Sequence, residues 1–268
     1  MLRDITLGQY FPGESVIHRL DPRVKIILTF SYIILLFAAK GIVGYTIMLA
    51  VLCTVVGISG IKVRVVLRSM KPLLFIIAFT AILNMFYTPG EELWRFWIFR
   101  ITREGIETAV FMALRIAMLI AGTFVLLTYT TSPIMLTDGI ESLLRPLQKL
   151  HLPVHELAMM MTIALRFIPT LIEETDKIIS AQKARGADFE TGNLLQRAKA
   201  LVPILVPLFV SAFRRADELA IAMECRCYRG GESRTRLKEL RMTRLDYGAL
   251  ACTAAVTVLI VLSRVFPL

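Results

Sequence analysis

Five long apolar segments run along most of the chain and leave few folds open to it. They cover residues 24–39, 41–61, 72–87, 105–130 and 247–265. A bilayer core about 30 Å thick needs roughly 17–25 apolar residues per helix, and a helix satisfies its own backbone hydrogen bonds there. The segments therefore predict an all-α integral membrane protein with about five transmembrane helices. A hydrophobic content of 56% and a mean hydropathy of +0.66 agree with that class.

Lysine and arginine are distributed unevenly between the loops. Of the 31 basic residues, 25 lie before residue 26, in the loop at 62–71 or in the region 132–246. Because cytoplasmic loops are enriched in these residues, all three stretches are predicted to be cytoplasmic, with the C-terminus outside. We accordingly divide the chain into residues 1–131 with four spans, a cytoplasmic region at 132–246, and a last span at 247–268. The net charge of +10 is then explained by membrane topology, so no nucleic-acid partner is predicted.

The region 132–246 is too long for a simple loop, and it contains three helical patterns, at residues 132–144, 154–184 and 194–225. Pro169 is predicted to bend the second helix, and Pro203 and Pro207 to bend the third. After each bend the pattern is amphipathic, with apolar residues at helical spacing. Before the bends the sequence is nearly all apolar and includes Met159, Met160 and Met161. We therefore predict two long amphipathic helices, each with an apolar first half.

The two long helices end in similar sequences, because residues 176–186 align with residues 217–227 at one constant offset. Each copy begins with an acid and ends with an arginine between two small residues. The first copy has Asp176 and then Ala184, Arg185 and Gly186; the second has Asp217 and then Cys225, Arg226 and Cys227. A single cation at a helix C-terminus is explained by the macrodipole, at about 0.3–1 kcal/mol. Two copies in register favour docking of two similar partners.

The chain lacks the residue patterns of an enzyme or a metal site. The pair Cys225 and Cys227 has no second half of a zinc site, and His18, His151 and His155 are scattered. The phosphate-binding pattern G-x-x-x-x-G-K-[ST] is absent as well. We predict no catalytic residue, no metal and no cofactor bound by this chain.

Arg115 lies inside the fourth apolar segment. A charged residue within a membrane is a candidate functional residue, but it also occurs as part of a structural pair. Glu107 and Asn84 are the predicted partners for such a pair.

Three motifs in order resemble those of one family. The first runs from Tyr10 to Lys25 and contains His18-Arg19-Leu20-Asp21-Pro22-Arg23. The second is Ala164-Leu165-Arg166-Phe167-Ile168-Pro169 followed by Ala184-Arg185-Gly186, and the third is Arg214-Arg215-Ala216-Asp217-Glu218-Leu219-Ala220 followed by Arg226. Together they closely resemble the T component of energy-coupling factor (ECF) transporters, which are ATP-driven importers of vitamins and metal ions.

The resemblance implies a non-catalytic subunit in the cell membrane. It would join a substrate-binding membrane S component to two cytoplasmic ATPases, which would carry the ATP and magnesium. The implied ATPase-binding residues are Ala184, Arg185, Gly186, Cys225, Arg226 and Cys227. The implied structural and coupling residues are Asp21, Pro22, Arg23, Arg115, Pro169, Asp176, Pro207 and Asp217. The implied contacts with the S component are Met159, Met160 and Met161.

The second arginine motif departs from the family pattern, which usually has a small residue before the arginine and a glycine after it. Cys225 and Cys227 flank Arg226 here. A left-handed glycine cannot end the helix directly after Arg226, so Gly230 and Gly231 are the predicted helix terminators.

Two other transporter classes remain as alternatives. A free-standing secondary transporter favours broken spans and charged residues at the midplane in both halves, whereas Arg115 stands in one half only. A conventional ABC permease subunit would line its own substrate path. Identifying the proteins that co-purify with the chain separates these classes.

Overall fold

The computed structural model describes residues 10–96, 99–150, 153–189, 193–230 and 240–265. Within these ranges it consists of ten α-helices and one two-stranded hairpin. The helices are α1 (Val16–Arg19), α2 (Pro22–Ala38), α3 (Gly41–Ser59), α4 (Val63–Met70), α5 (Leu74–Tyr87), α6 (Arg103–Thr123), α7 (Pro133–Leu144), α8 (Val154–Ala184), α9 (Leu194–Glu224) and α10 (Arg244–Val265). The predicted all-α class is thus confirmed.

The predicted spans correspond to α2, α3, α5, α6 and α10. A π-helical segment, Phe124–Tyr129, extends α6 by six residues. In the part of the chain described here, six helical stretches are long and apolar enough to cross a membrane. They are Gly41–Ser59, Val63–Tyr87, Arg103–Tyr129, Val154–Ala184, Leu195–Glu224 and Arg244–Arg264. Helix α2 is shorter, with 17 residues, whereas α8 and α9 reach this set through their apolar first halves.

The starts of several helices follow the predicted capping chemistry. The side chain of Asp21 accepts a hydrogen bond of 2.9 Å from the Arg23 amide, and Pro22 occupies the first position of α2. Ser132 Oγ accepts a bond of 3.3 Å from the Met135 amide before α7. Gly41 has a φ of +65° in the tight turn between α2 and α3, a conformation that glycine adopts without steric cost.

The basic loop at 62–71 is helical, which the sequence analysis missed. Helix α4 continues through a 3₁₀ turn, Lys71–Leu73, into α5. Val63, Val66, Leu67 and Met70 recur at helical spacing in this segment, and Val66 is buried in a core cluster with residues of α6. The segment was read only as a charged loop because its positive residues were counted and its period was not.

A short antiparallel hairpin joins α5 to α6. Strand β1 (Glu92–Phe96) pairs with β2 (Phe99–Thr102), with Arg95 opposite Arg100 and Phe96 opposite Phe99. The hairpin is a local feature of one loop and leaves the helical class unchanged.

The chain divides into two compact units, one of residues 8–140 and 239–268 and the other mainly of residues 141–238. In the larger unit the main core joins α2, α3, α6 and α10 around Tyr32, Met48, Met118 and Ile260. The Tyr32 hydroxyl donates a 2.9 Å hydrogen bond to the Met118 carbonyl. Gly122 lies directly against the Tyr32 ring, where any Cβ would clash, so α2 and α6 pack closely at this point.

The smaller unit is dominated by the two 31-residue helices α8 and α9. Helix α8 continues through Pro169, and α9 continues through Pro203 and Pro207. Because proline lacks an amide hydrogen, each interrupts the backbone ladder by one bond without ending the helix. Asn193 and Gln196 form a capping box that begins α9.

Candidate coupling helices

The end of α8 forms a complete Schellman motif around Gly186. The Gly186 amide donates to the Lys183 carbonyl at 3.0 Å, and the Ala187 amide donates to the Gln182 carbonyl at 3.0 Å. Gly186 has a φ of +85°, the left-handed conformation that this motif requires. Arg185 is therefore the last residue before the left-handed position, at the tip of the helix.

The end of α9 has the same hydrogen-bond pattern, 41 residues further along the sequence. The Cys227 amide donates to the Glu224 carbonyl at 2.8 Å, and the Tyr228 amide donates to the Met223 carbonyl at 3.1 Å. Cys227 has a φ of +55°, so it occupies the left-handed position that Gly186 occupies in α8. Arg226 thus lies at the tip of α9 as Arg185 does at the tip of α8.

This geometry corrects the prediction that Gly230 and Gly231 end the helix. Helix α9 ends at Glu224, and Cys227 closes the motif at a steric cost of roughly 1 kcal/mol relative to glycine. Gly230 also has a positive φ, of +86°, but it follows the helix end. Gly231 lies outside the described residues.

Substitutions at the two left-handed positions are expected to have opposite effects. Cys227→Gly should stabilise the end of α9, and Gly186→Ala should destabilise the end of α8, each by roughly 1 kcal/mol. Hydrogen–deuterium exchange at the amides of Ala187 and Tyr228 would then change by about fivefold, in opposite directions. Ala216→Gly, in the interior of α9, is the control and should destabilise its helix. Equal effects of glycine at positions 216 and 227 would contradict the left-handed assignment of Cys227.

Helices α8 and α9 contact each other through polar side chains. Glu174 of α8 accepts hydrogen bonds from the Ser211 hydroxyl and from Arg215 of α9, the latter at 3.0 Å. Nearer the tip of α8, the Gln182 side chain donates to the Pro203 carbonyl at 3.5 Å. Residue numbers therefore rise along one helix as they fall along the other, so the helices are antiparallel where they meet.

The antiparallel contact separates the two arginine tips. Arg185 follows Gln182 by three residues, close to the contact with Pro203, whereas Arg226 follows Pro203 by 23 residues. At 1.5 Å per residue, and with some shortening from the proline bends, this places the tips roughly 30 Å apart. Two arginines at that distance cannot serve one small pocket, but they suit two separate partner sites.

Both arginine tips are exposed. Among the described residues, neither Arg185 nor Arg226 forms an ion pair within 4.0 Å or a side-chain hydrogen bond. Asp176 and Asp217 precede their arginines by nine residues, which places each acid on the opposite side of its helix. Each guanidinium therefore keeps its five donors available for a partner.

Apolar side chains are exposed in the first halves of both helices. Met160 and Met161 of α8 are about half exposed, and Met159 is partly exposed. In α9 the exposed apolar residues are Leu195, Leu201, Val202, Leu205, Val206, Phe209, Val210 and Phe213. Such a surface needs a lipid or protein neighbour, because contiguous exposed apolar patches of this kind mark interaction sites.

The N-terminal motif closes over a buried charged network in the larger unit. The Asp21 amide donates to the carboxylate of Asp246, the first-turn acid of α10, at 2.8 Å. The Lys25 ammonium donates to the carbonyls of Thr130, at 2.8 Å, and His18, at 3.2 Å. Lys25 is 1% exposed and Asp246 is fully buried. The motif thus fastens the start of α2 to the end of the π-helical segment and to the start of α10.

This network changes two interpretations of the sequence. Lys25 was expected to extend towards the membrane surface, whereas it is buried against backbone carbonyls. Asp246 was missed, although the spacing Thr243-x-x-Asp246 resembles a capping box. Asp246 accepts hydrogen bonds from the Thr243 amide, at 2.7 Å, and hydroxyl, at 2.8 Å. Arg23 lies beside Asp21, with 4.0 Å between the charged atoms.

Arg115 does not pair with either predicted partner. Its guanidinium lies over the rings of Phe37 and Tyr45, 5.6 Å from each ring centre. Glu107 pairs with Arg103 one turn away at 3.7 Å, and the Asn84 amide donates to the Thr80 carbonyl at 2.8 Å. Both predicted partners lie nearer the α5–α6 hairpin than the level at which α2 and α3 approach Arg115.

The described residues contain no group of three or more histidine, cysteine, aspartate or glutamate side chains that could hold a metal ion. Cys53, Cys225, Cys227 and Cys252 are exposed free thiols.

Comparison with known proteins gives a consistent result. Residues 13–237 match the family model described as CbiQ, cobalt transport protein. A protein of Thermosediminibacter oceani is 56% identical over 98% of this chain and 99% of its own length. Proteins of Clostridium kluyveri and Bacillus subtilis are 53% and 46% identical, over 99% and 98% of this chain and 99% and 97% of their own lengths. All three carry the name energy-coupling factor transporter transmembrane protein EcfT. The chain is a multi-pass membrane protein, and it belongs to the CbiQ/EcfT family of transmembrane components of energy-coupling factor transporters.

Proposed function

We propose that this chain couples two cytoplasmic ATPase subunits to a membrane-embedded, substrate-binding S component. The observation that carries the proposal is the identical Schellman geometry at Arg185 and Arg226, on two helix ends about 30 Å apart. One recurring tip structure suits two copies of one docking site, and two ATPase subunits supply two such copies.

Each arginine tip is suited to a groove on its partner. A guanidinium forms paired hydrogen bonds with a carboxylate or with backbone carbonyls, and the small residues beside it allow a close approach. Ala184 and Gly186 flank the first arginine, and Cys225 and Cys227 flank the second. ATP and magnesium belong to the ATPases in this proposal, and the chain transmits their relative movement.

The contact between the two helices supports transmission of movement. Glu174 bonds to both Ser211 and Arg215, so a shift of one helix tip acts on the other helix through charge-assisted hydrogen bonds. The exposed apolar halves of α8 and α9, including Met160 and Met161, are the surface proposed for the S component. Methionine side chains adapt to differently shaped partners, which suits a subunit that meets more than one S component.

The proposal includes a topology. The N-terminus and the two arginine tips lie in the cytoplasm, and the C-terminus lies outside the cell membrane, as the distribution of basic residues favours. The transported solute is a vitamin or a metal ion bound by the S component, in keeping with the class of importer.

Purification of the chain at its natural expression level, followed by mass spectrometry, tests the proposal. We expect two ATPase subunits per chain and a small membrane protein that binds the solute. Recovery of the chain alone in an active transporter would instead indicate a secondary transporter. Recovery of ATPases and a periplasmic or lipid-anchored binding protein, without an S component, would indicate a conventional ABC permease.

A further inference from the structure

Arg115 lies near one end of the membrane-spanning helices rather than at their centre. The Tyr32 hydroxyl of α2 bonds to the Met118 carbonyl of α6, and one turn further along both helices Phe37 contacts Arg115. Helix α2 ends at Ala38, directly after Phe37. The guanidinium is therefore level with the last turn of α2, about 6 Å or less from the turn that contains Lys40.

The polar atoms around Arg115 are incompletely satisfied. The Arg115 Nη1 atom contacts only the Met112 sulfur, at 3.8 Å, and the Arg115 Nε atom is buried without a hydrogen-bond partner. The hydroxyl of Tyr45, which is 4% exposed, is also buried without a partner. No carboxylate of the described chain lies within ion-pair distance of this arginine. A cation in this position needs a counter-charge, because an unpaired charge within a membrane is costly.

The length of α2 brings lipid headgroups towards this cation. Its 17 residues extend about 25 Å, less than the roughly 30 Å thickness of a hydrocarbon core. A bilayer thins locally around a short helix, and an arginine side chain extends towards the interface. Both effects place phospholipid phosphates within reach of Arg115.

The surface beside Arg115 suits the rest of a lipid molecule. Phe30, Ile34 and Phe37 lie on one face of α2 at helical spacing, and each is more than half exposed. This apolar strip begins at the guanidinium and runs along the helix, as an acyl chain would. A free phosphate ion would leave the strip unused.

We infer that Arg115 and the Tyr45 hydroxyl form a binding site for the phosphate of an anionic phospholipid. The guanidinium donates paired hydrogen bonds to the phosphate oxygens while its opposite face stays against the two rings. The lipid supplies the missing counter-charge, and its acyl chain covers the strip of Phe30, Ile34 and Phe37. The site lies in the larger unit and involves neither arginine tip.

Native mass spectrometry of the full chain, titrated with phosphatidylglycerol in detergent, tests the site. We expect Arg115→Gln to weaken retention of phosphatidylglycerol at least tenfold, because a charge-assisted hydrogen bond contributes about 1.5–3 kcal/mol. Tyr45→Phe removes one hydroxyl and should weaken retention about threefold. Arg103→Gln, which removes an exposed arginine from the same helix, should leave retention unchanged.

Two further arms identify the source of the phosphate. Phosphatidylcholine should be retained more weakly than phosphatidylglycerol, and inorganic phosphate at millimolar concentration should not displace the lipid. Equal retention of phosphatidylglycerol by wild type and Arg115→Gln would overturn the inference, as would its displacement by inorganic phosphate. If Arg115→Gln does not fold, Tyr45→Phe and Arg115→Lys provide the same comparison, and unchanged retention in both would overturn it equally.

Discussion

Alanine at both Arg185 and Arg226 is expected to remove the ATPase subunits from the purified complex. Each guanidinium supplies charge-assisted hydrogen bonds of about 1.5–3 kcal/mol, so each single variant should weaken its own contact roughly 10- to 100-fold. A single variant still holds the ATPase pair through its second tip, whereas the double variant loses both contacts and the advantage of bivalent binding. We therefore expect partial recovery from each single variant and no recovery from the double variant after washing.

The comparison of lysine with alanine separates docking from helix stabilisation. Lysine at positions 185 and 226 keeps a cation at each helix end, so it keeps the macrodipole contribution but loses the planar fork. We expect the double lysine variant to recover less than a tenth of the ATPase that wild type recovers. Full recovery with lysine would show that charge at the helix end suffices and that paired hydrogen bonds are not required.

Two controls make the result specific. Arg197→Ala removes an exposed arginine from the first turn of α9, far from either tip, and should leave recovery of the ATPases unchanged. The double alanine variant should still elute as a single folded species and retain its S component. Recovery of the ATPases at the wild-type level from that variant would exclude both tips as the docking residues.

The sequence predicted the two arginine tips because each is encoded locally. The offset of 41 residues places Arg185 and Arg226 at equivalent positions, and the structure gives both the same Schellman hydrogen bonds. The bounds of α8 and α7 were also predicted closely, because their signals are proline, capping residues and helical period. The left-handed conformation of Cys227 was not predictable, since residues other than glycine seldom adopt a positive φ. The backbone of α9 imposes it through hydrogen bonds that sequence propensity does not reveal.

The surroundings of the buried charged residues could not be predicted from the sequence. Lys25 bonds to a carbonyl 105 residues away, and the Asp21 amide bonds to a carboxylate 225 residues away. Contacts at such separations depend on which helices are neighbours, and hydrophobic period does not determine this. The partners of Arg115 were mispredicted for the same reason, because candidates on α6 and α5 were considered and rings on α2 and α3 were not.

Removing the Asp246 carboxylate is expected to destabilise the larger unit by about 3–5 kcal/mol, the usual effect of breaking a buried charged pair. Asp246→Ala leaves the Asp21 amide and both donors of Thr243 without their acceptor, and it leaves the buried Lys25 without a nearby negative charge. Unfolding of the purified chain in detergent, followed by intrinsic fluorescence, should show a fall in Tm of roughly 10 °C. The variant Glu14→Gln removes an exposed carboxylate from the same N-terminal motif and should shift Tm by about 1 °C or less.

A double variant distinguishes charge from packing in this network. Lys25→Met fills a similar volume without a charge, and Asp246→Asn keeps an acceptor for the Thr243 hydroxyl. Because the two together remove both buried charges, we expect the pair to be more stable than the sum of the single effects predicts, by about 1–3 kcal/mol. Strict additivity would mean that Lys25 and Asp246 act independently. The N-terminal motif would then stabilise the protein through its backbone hydrogen bonds alone, without an electrostatic contribution from the pair.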